Sequence, residues 1–259
     1  MTNTISVAVI QFPVLLDISS NLDHLLSFIT SVDEETLVIT PEGAISGYSQ
    51  DPNFVKGINT QMLEQALKKV REEVVRRKIH LVVGSCIEEA EKWCNAALYM
   101  GPRQELSIYR KINLAMSERG VFQAGHELPV FSLSIRGVHI KLGIQMCREI
   151  RYPEQWQHLA RKGTQIFAFL NNAVGDSEIC PTWRSHLISR AAETQRFLLA
   201  ANNAEPEQKC PTMIIAPSGK VLFEEVSACK VIGKTDIAIN EVSDWALLQA
   251  RTDIVRVTT

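Results

Sequence analysis

Three residues that could share one acyl-transfer reaction, Glu42, Lys111 and Cys147, each follow an apolar, strand-like run. A cysteine nucleophile needs a base to take its proton, and a carboxylate kept from bulk water can have its pKa raised enough to serve. An ammonium group and a backbone N–H can stabilise the oxyanion that forms on a carbonyl carbon. The three residues therefore predict nucleophilic catalysis, provided that the fold brings them together.

Cys147 ends an apolar run over residues 138–146 and precedes a helix that Pro153 can begin. A thiol at a strand-to-helix turn lies near backbone N–H groups, which lower a thiol pKa and can receive an oxyanion. An inert, buried cysteine is the alternative. A second alternative is a thiol hydrolase with a Cys–His pair that uses His126. The cysteines predicted to be structural are Cys86, Cys94, Cys180, Cys210 and Cys229.

The composition argues against several kinds of partner. The 259 residues are 46% hydrophobic and 22% charged, with a formal net charge of −2, so nucleic-acid and membrane partners are not expected. No apolar stretch has the length of a membrane span, and the first residues lack a signal-peptide pattern. The cysteines and histidines are dispersed without metal-binding spacing. We therefore expect a cytoplasmic protein with reduced thiols and no metal site.

The first predicted elements place Glu42 at a sheet edge. Strands over 6–11 and 37–40 flank a helix over 21–32 with its cap among residues 19–21, which makes a β-α-β unit. Ligands gather at the C-terminal ends of strands in open α/β sheets, and Glu42 follows the second strand. The Gly- and Pro-bearing segment 43–54 is long enough to be a binding loop.

The rest of the chain continues the alternation of apolar runs and helical stripes. Further strands are predicted over 81–87, 95–100, 106–109, 130–135, 138–146, 166–170, 197–201, 213–216, 221–225 and 231–240, and helices over 60–78, 153–162 and 182–195. Gly175 is expected to open a loop, and the tail beyond Trp245 is left unassigned. About a dozen strands and four helices without a linker predict one α/β domain over residues 1–259. So many strands favour two packed sheets flanked by helices.

The segments around the three reactive residues are 40–48 (TPEGAISGY), 109–114 (YRKINL) and 143–154 (GIQMCREIRYPE). They resemble, in order, the glutamate, lysine and cysteine blocks of the nitrilase superfamily, also called the carbon–nitrogen hydrolases. The resemblance extends over roughly residues 5–240. Supporting blocks match in the same order: Asn95, Glu118 with Phe122 and Gly125, residues 190–193 and residues 216–219. Any single block is a weak signal, whereas the ordered set is strong.

The resemblance implies a four-layer α-β-β-α sandwich that pairs with a second subunit and hydrolyses an amide without a cofactor. Cys147 would attack the amide carbon and form a thioester. Glu42 would act as general base and acid, and Lys111 with the N–H of Arg148 would hold the oxyanion. Glu118 matches a second glutamate of the family that positions the lysine and the substrate. A surface carboxylate is the alternative role for Glu118.

The residues after the cysteine leave the pattern of the ω-amidases and deaminated-glutathione amidases, which this chain otherwise resembles most. Those branches have Tyr-Asp where this chain has Arg148 and Glu149. Arg148 could bind a substrate carboxylate by bidentate pairing, or it points outward and pairs with Glu149 or Glu154. Tyr48 and Asn172 are candidate substrate-binding residues, with plain packing and a turn cap as their alternatives.

The preferred interpretation is a cytoplasmic, cofactor-free amidase that acts on a small linear amide, with a carboxylate-bearing substrate favoured. A homodimer or higher homo-oligomer is expected. An N-carbamoyl-amine amidohydrolase, which would also release carbon dioxide, is the nearest alternative. A nitrilase is less favoured, because the context of the cysteine resembles the amidase branches. A non-catalytic assembly module that kept the fold is a further alternative, against which the three intact residues argue.

Overall fold

Apolar strands alternate with amphipathic helices in the computed structural model, which describes residues 3–173, 178–207, 209–251 and 253. The strands are β1 (Thr4–Gln11), β2 (Thr36–Ile39), β3 (His80–Glu89), β4 (Lys92–Met100), β5 (Leu106–Arg110), β6 (Val130–Ile135), β7 (Val138–Met146), β8 (Ile166–Leu170), β9 (Phe197–Ala201), β10 (Thr212–Ile215), β11 (Val221–Glu225) and β12 (Val231–Ala238). The α-helices are α1 (Ile18–Ile29), α2 (Thr60–Arg77), α3 (Pro153–Arg161), α4 (Cys180–Thr194) and α5 (Trp245–Leu248). Gly175, predicted to open a loop, lies outside the described residues.

The strands form two six-stranded sheets with a common plan. The first has the order β12-β1-β2-β3-β4-β5, with parallel pairing among β1, β2 and β3. The second has the order β11-β10-β9-β8-β7-β6, with parallel pairing among β7, β8 and β9. Antiparallel strands flank each parallel centre. The parallel strands are apolar on both faces because both faces are covered.

Three apolar layers join the sheets and helices into a sandwich. Side chains such as Val82 and Leu142 fill the space between the two sheets. Leu25 of α1 and Val70 of α2 pack on the outer face of the first sheet. Trp156 of α3 and Leu187 of α4 pack on the outer face of the second. The predicted α-β-β-α sandwich is therefore confirmed, while one domain over residues 1–259 stays a prediction.

Some predicted boundaries are wrong for identifiable reasons. Helix α1 begins before its predicted start, because Asp17, and not one of residues 19–21, caps it by accepting the N–H of Ser20 at 2.7 Å. Asn21 is instead buried and donates to the carbonyl of Ile45 at 3.1 Å, so it holds the segment that follows Glu42. Strand β12 is shorter than predicted because a 3₁₀ turn follows it. A 3₁₀ helix, Pro52–Gly57, continues the predicted binding loop.

Candidate active site

The three reactive residues come from two sheets. Glu42 follows β2 and Lys111 follows β5, at the same edge of the first sheet, while Cys147 follows β7 of the second. The two edges are joined where the N–H of Glu42 donates to the carbonyl of Asn171 at 3.3 Å. The amide of Asn172 donates to the carbonyl of Glu42 at 3.3 Å. The C-terminal ends of strands from both sheets therefore lie at one place, as the sequence predicts.

Lys111 lies fully buried between two carboxylates. Its Nζ is 2.9 Å from Oε1 of Glu42 and 3.0 Å from Oε2 of Glu118. The amide nitrogen of Asn95 donates to both glutamates, at 2.8 Å and 2.7 Å. All four side chains are almost completely removed from solvent. Buried charges are tolerated only when they are paired and hydrogen-bonded, so this network is built around the ammonium group.

Glu118 is buried beside Lys111, so it is not the surface carboxylate that was its alternative. Only 1% of the residue is exposed. It accepts the hydroxyl of Tyr48 at 3.0 Å and the N–H of Ala115 at 2.5 Å. The Tyr48 ring also lies 5.7 Å from Nζ of Lys111. Tyr48 and Glu118 therefore both contact the lysine side chain and each other.

The two carboxylates differ in proton affinity. Burial raises the pKa of Glu42, and the charge of Glu118 adds to that effect against the opposing charge of Lys111. Burial also acts on Glu118, but the Lys111 charge and the hydrogen bonds from Ala115 and Asn95 outweigh it and lower the pKa of Glu118. Oε2 of Glu42 has no hydrogen-bond partner among the described residues. Of the two carboxylates, Glu42 therefore has the higher proton affinity.

The cation and the thiol also have shifted pKa values. Burial opposes the charge of Lys111, but the Glu42 carboxylate and the other neighbouring groups outweigh it and hold the pKa of Lys111 well above its ordinary value. Burial raises the pKa of Cys147, and the charge of Glu42 raises it further. The prediction that the turn lowers the thiol pKa is thus wrong, because burial dominates over the nearby N–H groups. The surroundings of Cys147 therefore favour its thiol form over the thiolate.

The backbone at Cys147 is in the left-handed region, with φ of 43°. This conformation is uncommon for a residue with a side chain, and it costs on the order of 1–3 kcal/mol unless its surroundings enforce it. A 3₁₀ helix, Cys147–Arg151, begins at this residue and leads into α3 at Pro153. The predicted sharp connection is therefore confirmed. It turns the chain away from the strand axis at the position of the thiol.

A cavity of about 260 Å³ opens at Cys147. The described residues that line it include the three predicted substrate-binding residues, Tyr48, Arg148 and Asn172. They also include residues that sequence reasoning did not assign to a pocket: Gln50, Ala115, Ser117, Arg151, Ala173, Ile179 and Trp183. They share no local sequence pattern, because they come from separate loops and helices that meet only in the folded chain. Gln50 had a signal in the sequence, since it lies within the predicted binding loop 43–54.

Comparison with known proteins identifies the family of this chain. The sequence profile of the carbon–nitrogen hydrolases matches residues 6–246 of the chain. The chain belongs to the carbon–nitrogen hydrolase family. It is an enzyme of that class, with amidases among its relatives.

Individual relatives of this carbon–nitrogen hydrolase are distant. A probable nitrilase of Schizosaccharomyces pombe is 26% identical over 231 residues, which are 84% of this chain and 82% of that protein. An ω-amidase of Xenopus laevis is 25% identical over 248 residues, which are 84% of each chain. The crystal structure of an amidase from Nesterenkonia sp. superimposes with a TM-score of 0.82 at 22% identity and covers 96% of this chain and 94% of that one. The shared architecture is the nitrilase-type sandwich.

The structure tests the ion pairs that the sequence offers for Arg148 of this hydrolase. Glu149 is buried and turned inward, so the predicted pairing of Arg148 with Glu149 is wrong. Within the described part of the chain, Arg148 makes no ion pair with Glu154 either. Arg148 is half-buried at the cavity wall. The described residues include no acidic side chain that forms an ion pair with Arg148.

His126 does not lie with Cys147 in this enzyme. It is exposed and lines a different depression, together with Glu89 and Arg110. The Cys–His alternative therefore has no support from the geometry. Among the described residues, no group of three or more His, Cys, Asp or Glu side chains could hold a metal ion. The described helices include none that is long and apolar enough to cross a membrane.

Proposed function

We propose that this hydrolase releases ammonia from a small linear amide through a thioester on Cys147. One observation carries the proposal. A buried ammonium group, Lys111, is held by Glu42 and Glu118 at the edge where the cavity exposes the Cys147 thiol. This arrangement supplies a nucleophile, a base with a raised pKa and a fixed positive charge, which acyl transfer from an amide requires.

In the acylation step, Glu42 takes the thiol proton while Sγ of Cys147 attacks the amide carbon. The negative charge that develops on the amide oxygen is stabilised by the Lys111 ammonium and the N–H of Arg148. Both groups are fixed before the reaction, so little reorganisation is needed. Glu42 then returns the proton to the departing nitrogen. The carbon–nitrogen bond breaks, ammonia leaves, and the acyl group stays on Cys147 as a thioester.

In the deacylation step, Glu42 accepts a proton from water, whose oxygen attacks the thioester carbon. The oxyanion is again stabilised by Lys111. The carbon–sulfur bond breaks, the carboxylic acid leaves, and Cys147 regains its proton from Glu42. Glu118 does not contact the reacting atoms in this scheme. Its role is to keep Lys111 charged and oriented.

The cavity favours a substrate with a carboxylate of its own. Its described lining includes two guanidinium groups, from Arg148 and Arg151, and no acidic side chain. Arg148 is without an ion-pair partner among the described residues, and guanidinium binds carboxylate in a bidentate geometry. Asn172 and Tyr48 provide further polar groups on the same wall. We therefore propose an ω-amide of a small dicarboxylic acid as the substrate class.

Ammonia release from a panel of ω-amides, neutral aliphatic amides, carbamoyl amines and nitriles tests the proposed reaction. We expect turnover of ω-amides by the wild type and none by Cys147→Ala, which removes the nucleophile. Carbon dioxide released together with ammonia from a carbamoyl amine would favour the N-carbamoyl-amine amidohydrolase. If no compound yields ammonia, the proposed reaction is wrong and the assembly module gains support.

Replacing Arg148 tests the substrate class. Arg148→Gln should raise KM for ω-amides of dicarboxylic acids by about 10- to 100-fold, because a charge-assisted hydrogen bond contributes about 1.5–3 kcal/mol. Neutral amides should be unaffected in both kcat and KM. Arg136→Gln, at an exposed turn between β6 and β7, is the matched control and should change neither substrate. Equal losses on charged and neutral amides would contradict a carboxylate-binding role.

We propose in addition that the enzyme acts in the cytoplasm as a homodimer or higher homo-oligomer. All six cysteines, each within the described ranges, are free thiols, which suits a reducing compartment. The family resemblance implies pairing with a second subunit. Separation of cell extract into cytosolic and membrane or organelle fractions, with detection of the protein in each, tests the location.

A further inference from the structure

Glu149 is a buried carboxylate that the proposed reaction does not use. It lies two residues after Cys147, and none of its surface is exposed. Its side chain points into the protein, towards the ends of β5 and β7. The backbone carbonyl of Glu149 accepts the indole N–H of Trp156 at 2.9 Å, which anchors the residue to α3. A buried glutamate so close to Cys147 requires an explanation.

The two carboxylate oxygens of Glu149 bind two different segments of the chain. Oε1 accepts the backbone N–H groups of Ile112 at 2.8 Å and Asn113 at 3.0 Å. Oε2 accepts the backbone N–H of Met146 at 2.8 Å. The hydroxyl of Tyr109 donates to both oxygens, at 2.7 Å and 2.8 Å. Each carboxylate oxygen therefore accepts at least two hydrogen bonds.

These donors flank two of the reactive residues. Ile112 and Asn113 directly follow Lys111, at the end of β5 in the first sheet. Met146 directly precedes Cys147, at the end of β7 in the second sheet. The carboxylate of Glu149 thus joins the two sheets at the point where each delivers a reactive side chain.

Burial opposes a negative charge on Glu149. Burial raises its pKa, against the hydrogen bonds that it accepts. No lysine, arginine or histidine within the described ranges forms an ion pair with it. An apolar side chain would avoid the desolvation but leave three backbone N–H groups unsatisfied. A glutamine offers one acceptor oxygen, whereas two segments need one each.

We propose that Glu149 is a positioning residue that sets the distance between Lys111 and Cys147. The inference rests on the proposed function, because it gives those two residues their proposed roles. Glu149 does not contact the substrate. It acts by holding the backbone on either side of the oxyanion site, so that the ammonium and the thiol keep one separation when an amide enters.

Two substitutions at Glu149 separate positioning from packing. Glu149→Gln keeps the volume but replaces one acceptor with a donor, so the amide meets a backbone N–H. Glu149→Asp keeps both acceptors but removes a methylene group. We expect kcat to fall at least tenfold in the Gln variant, with KM changed less than threefold, and to recover partly in the Asp variant. A role in packing alone predicts the opposite order, since Gln is the better match in shape.

The control is Ile135→Val, a buried change at the far end of β6, which should lower the melting temperature without changing kcat. Wild-type kcat in Glu149→Gln, or lower activity in Asp than in Gln, would overturn the inference. If the Gln variant does not fold, the Asp variant decides. A larger fall in kcat in Glu149→Asp than in Ile135→Val supports positioning. Equal kcat values in these two variants overturn it.

Alkylation of Cys147 by iodoacetamide separates this inference from the proposed reaction. We expect the rate to decrease from wild type to Asp to Gln, because the thiol and its neighbours lose their fixed separation. That order would support positioning even if the wild type released no ammonia, in which case the proposed function alone fails. Equal alkylation rates with an active wild type would overturn the positioning role and leave the proposed function standing.

Discussion

Lys111 keeps its positive charge in a fully buried position because Glu42 and Glu118 both lie within ion-pair distance. The two carboxylates are not equivalent. Glu118 receives further hydrogen bonds from Tyr48 and Ala115, whereas Oε2 of Glu42 has no partner among the described residues. The pKa of Glu42 is raised and the pKa of Glu118 is lowered. In the proposed reaction, this separation of pKa values favours Glu42 for proton transfer and Glu118 for orientation of the lysine.

Glu118→Gln should change both the rate and its pH dependence. Glu42 must be ionised to act as a base, so kcat/KM rises with pH through the raised pKa of Glu42. The charge of Glu118 is one cause of that raised pKa, so its removal should shift the acid limb of the profile to lower pH. We also expect kcat to fall about 10- to 100-fold, because Lys111 loses a partner that orients it. The profile of kcat/KM against pH measures both effects.

The control for this prediction is Glu224→Gln. Glu224 pairs with Arg184 at 2.6 Å and is not among the residues that line the cavity, so its loss should leave the profile unchanged. A shift of the acid limb to higher pH in Glu118→Gln would contradict the assignment of Glu42 as the base.

At the scale of elements, the strands that hold the site are accurately predicted from the sequence. The predicted bounds of β6, β7, β8, β9 and β11 agree with the structure. Buried strands in the parallel centre are short apolar runs bounded by polar residues, and that signal is local. The positions of Glu42, Lys111 and Cys147 after strands follow from the same signal. The segments that resemble the family's blocks then single out Glu42, Lys111 and Cys147 as candidate site residues.

The sequence does not predict features that depend on distant parts of the chain. The partners of Glu149 come from residues 109–113 and 146, and no local pattern shows that its side chain turns inward. The raised pKa of Cys147 depends on how deeply the fold buries the thiol and on Glu42, which lies far away in sequence. The cap of α1 was missed because Asn21 is used to hold a loop instead.

Gly84 of β3 determines where the segment that carries Glu42 can lie. A Cβ atom there would come within 2.3 Å of the carbonyl oxygen of Pro41 and 2.8 Å of Cα of Glu42. We expect Gly84→Ala to displace this segment, to lower the free energy of unfolding by about 1–3 kcal/mol, and to reduce kcat at least tenfold by misplacing the base. Urea denaturation and steady-state kinetics measure the two effects.

Gly57→Ala is the matched control for Gly84. No atom lies within 4 Å of a Cβ built at Gly57, so the same substitution should leave stability and kcat nearly unchanged. A destabilised Gly84→Ala variant with full kcat would show that the base keeps its position despite the added methyl group.

At the scale of the whole molecule, the site depends on the contact between the two sheets. Glu42 and Lys111 follow strands of the first sheet and Cys147 follows a strand of the second, so the three residues come together only because the two sheets pack through the apolar layer between them. The helices on the outside cover the opposite faces of the sheets. On the side of the second sheet, α5 packs against the outer layer through Leu247 but leaves Trp245 67% and Leu248 82% exposed.

The family resemblance implies self-association. We expect it to bury the exposed apolar side chains of α5. Burying a large apolar side chain contributes about 1.5–3 kcal/mol. The double variant Trp245→Ser, Leu248→Ser should therefore sediment with a smaller mass than the wild type at equal concentration, while Leu106→Ser, at an exposed position of β5, should not. A wild type that sediments as a monomer would contradict the proposed homo-oligomer. A double variant with the wild-type mass would instead exclude α5 as the interface.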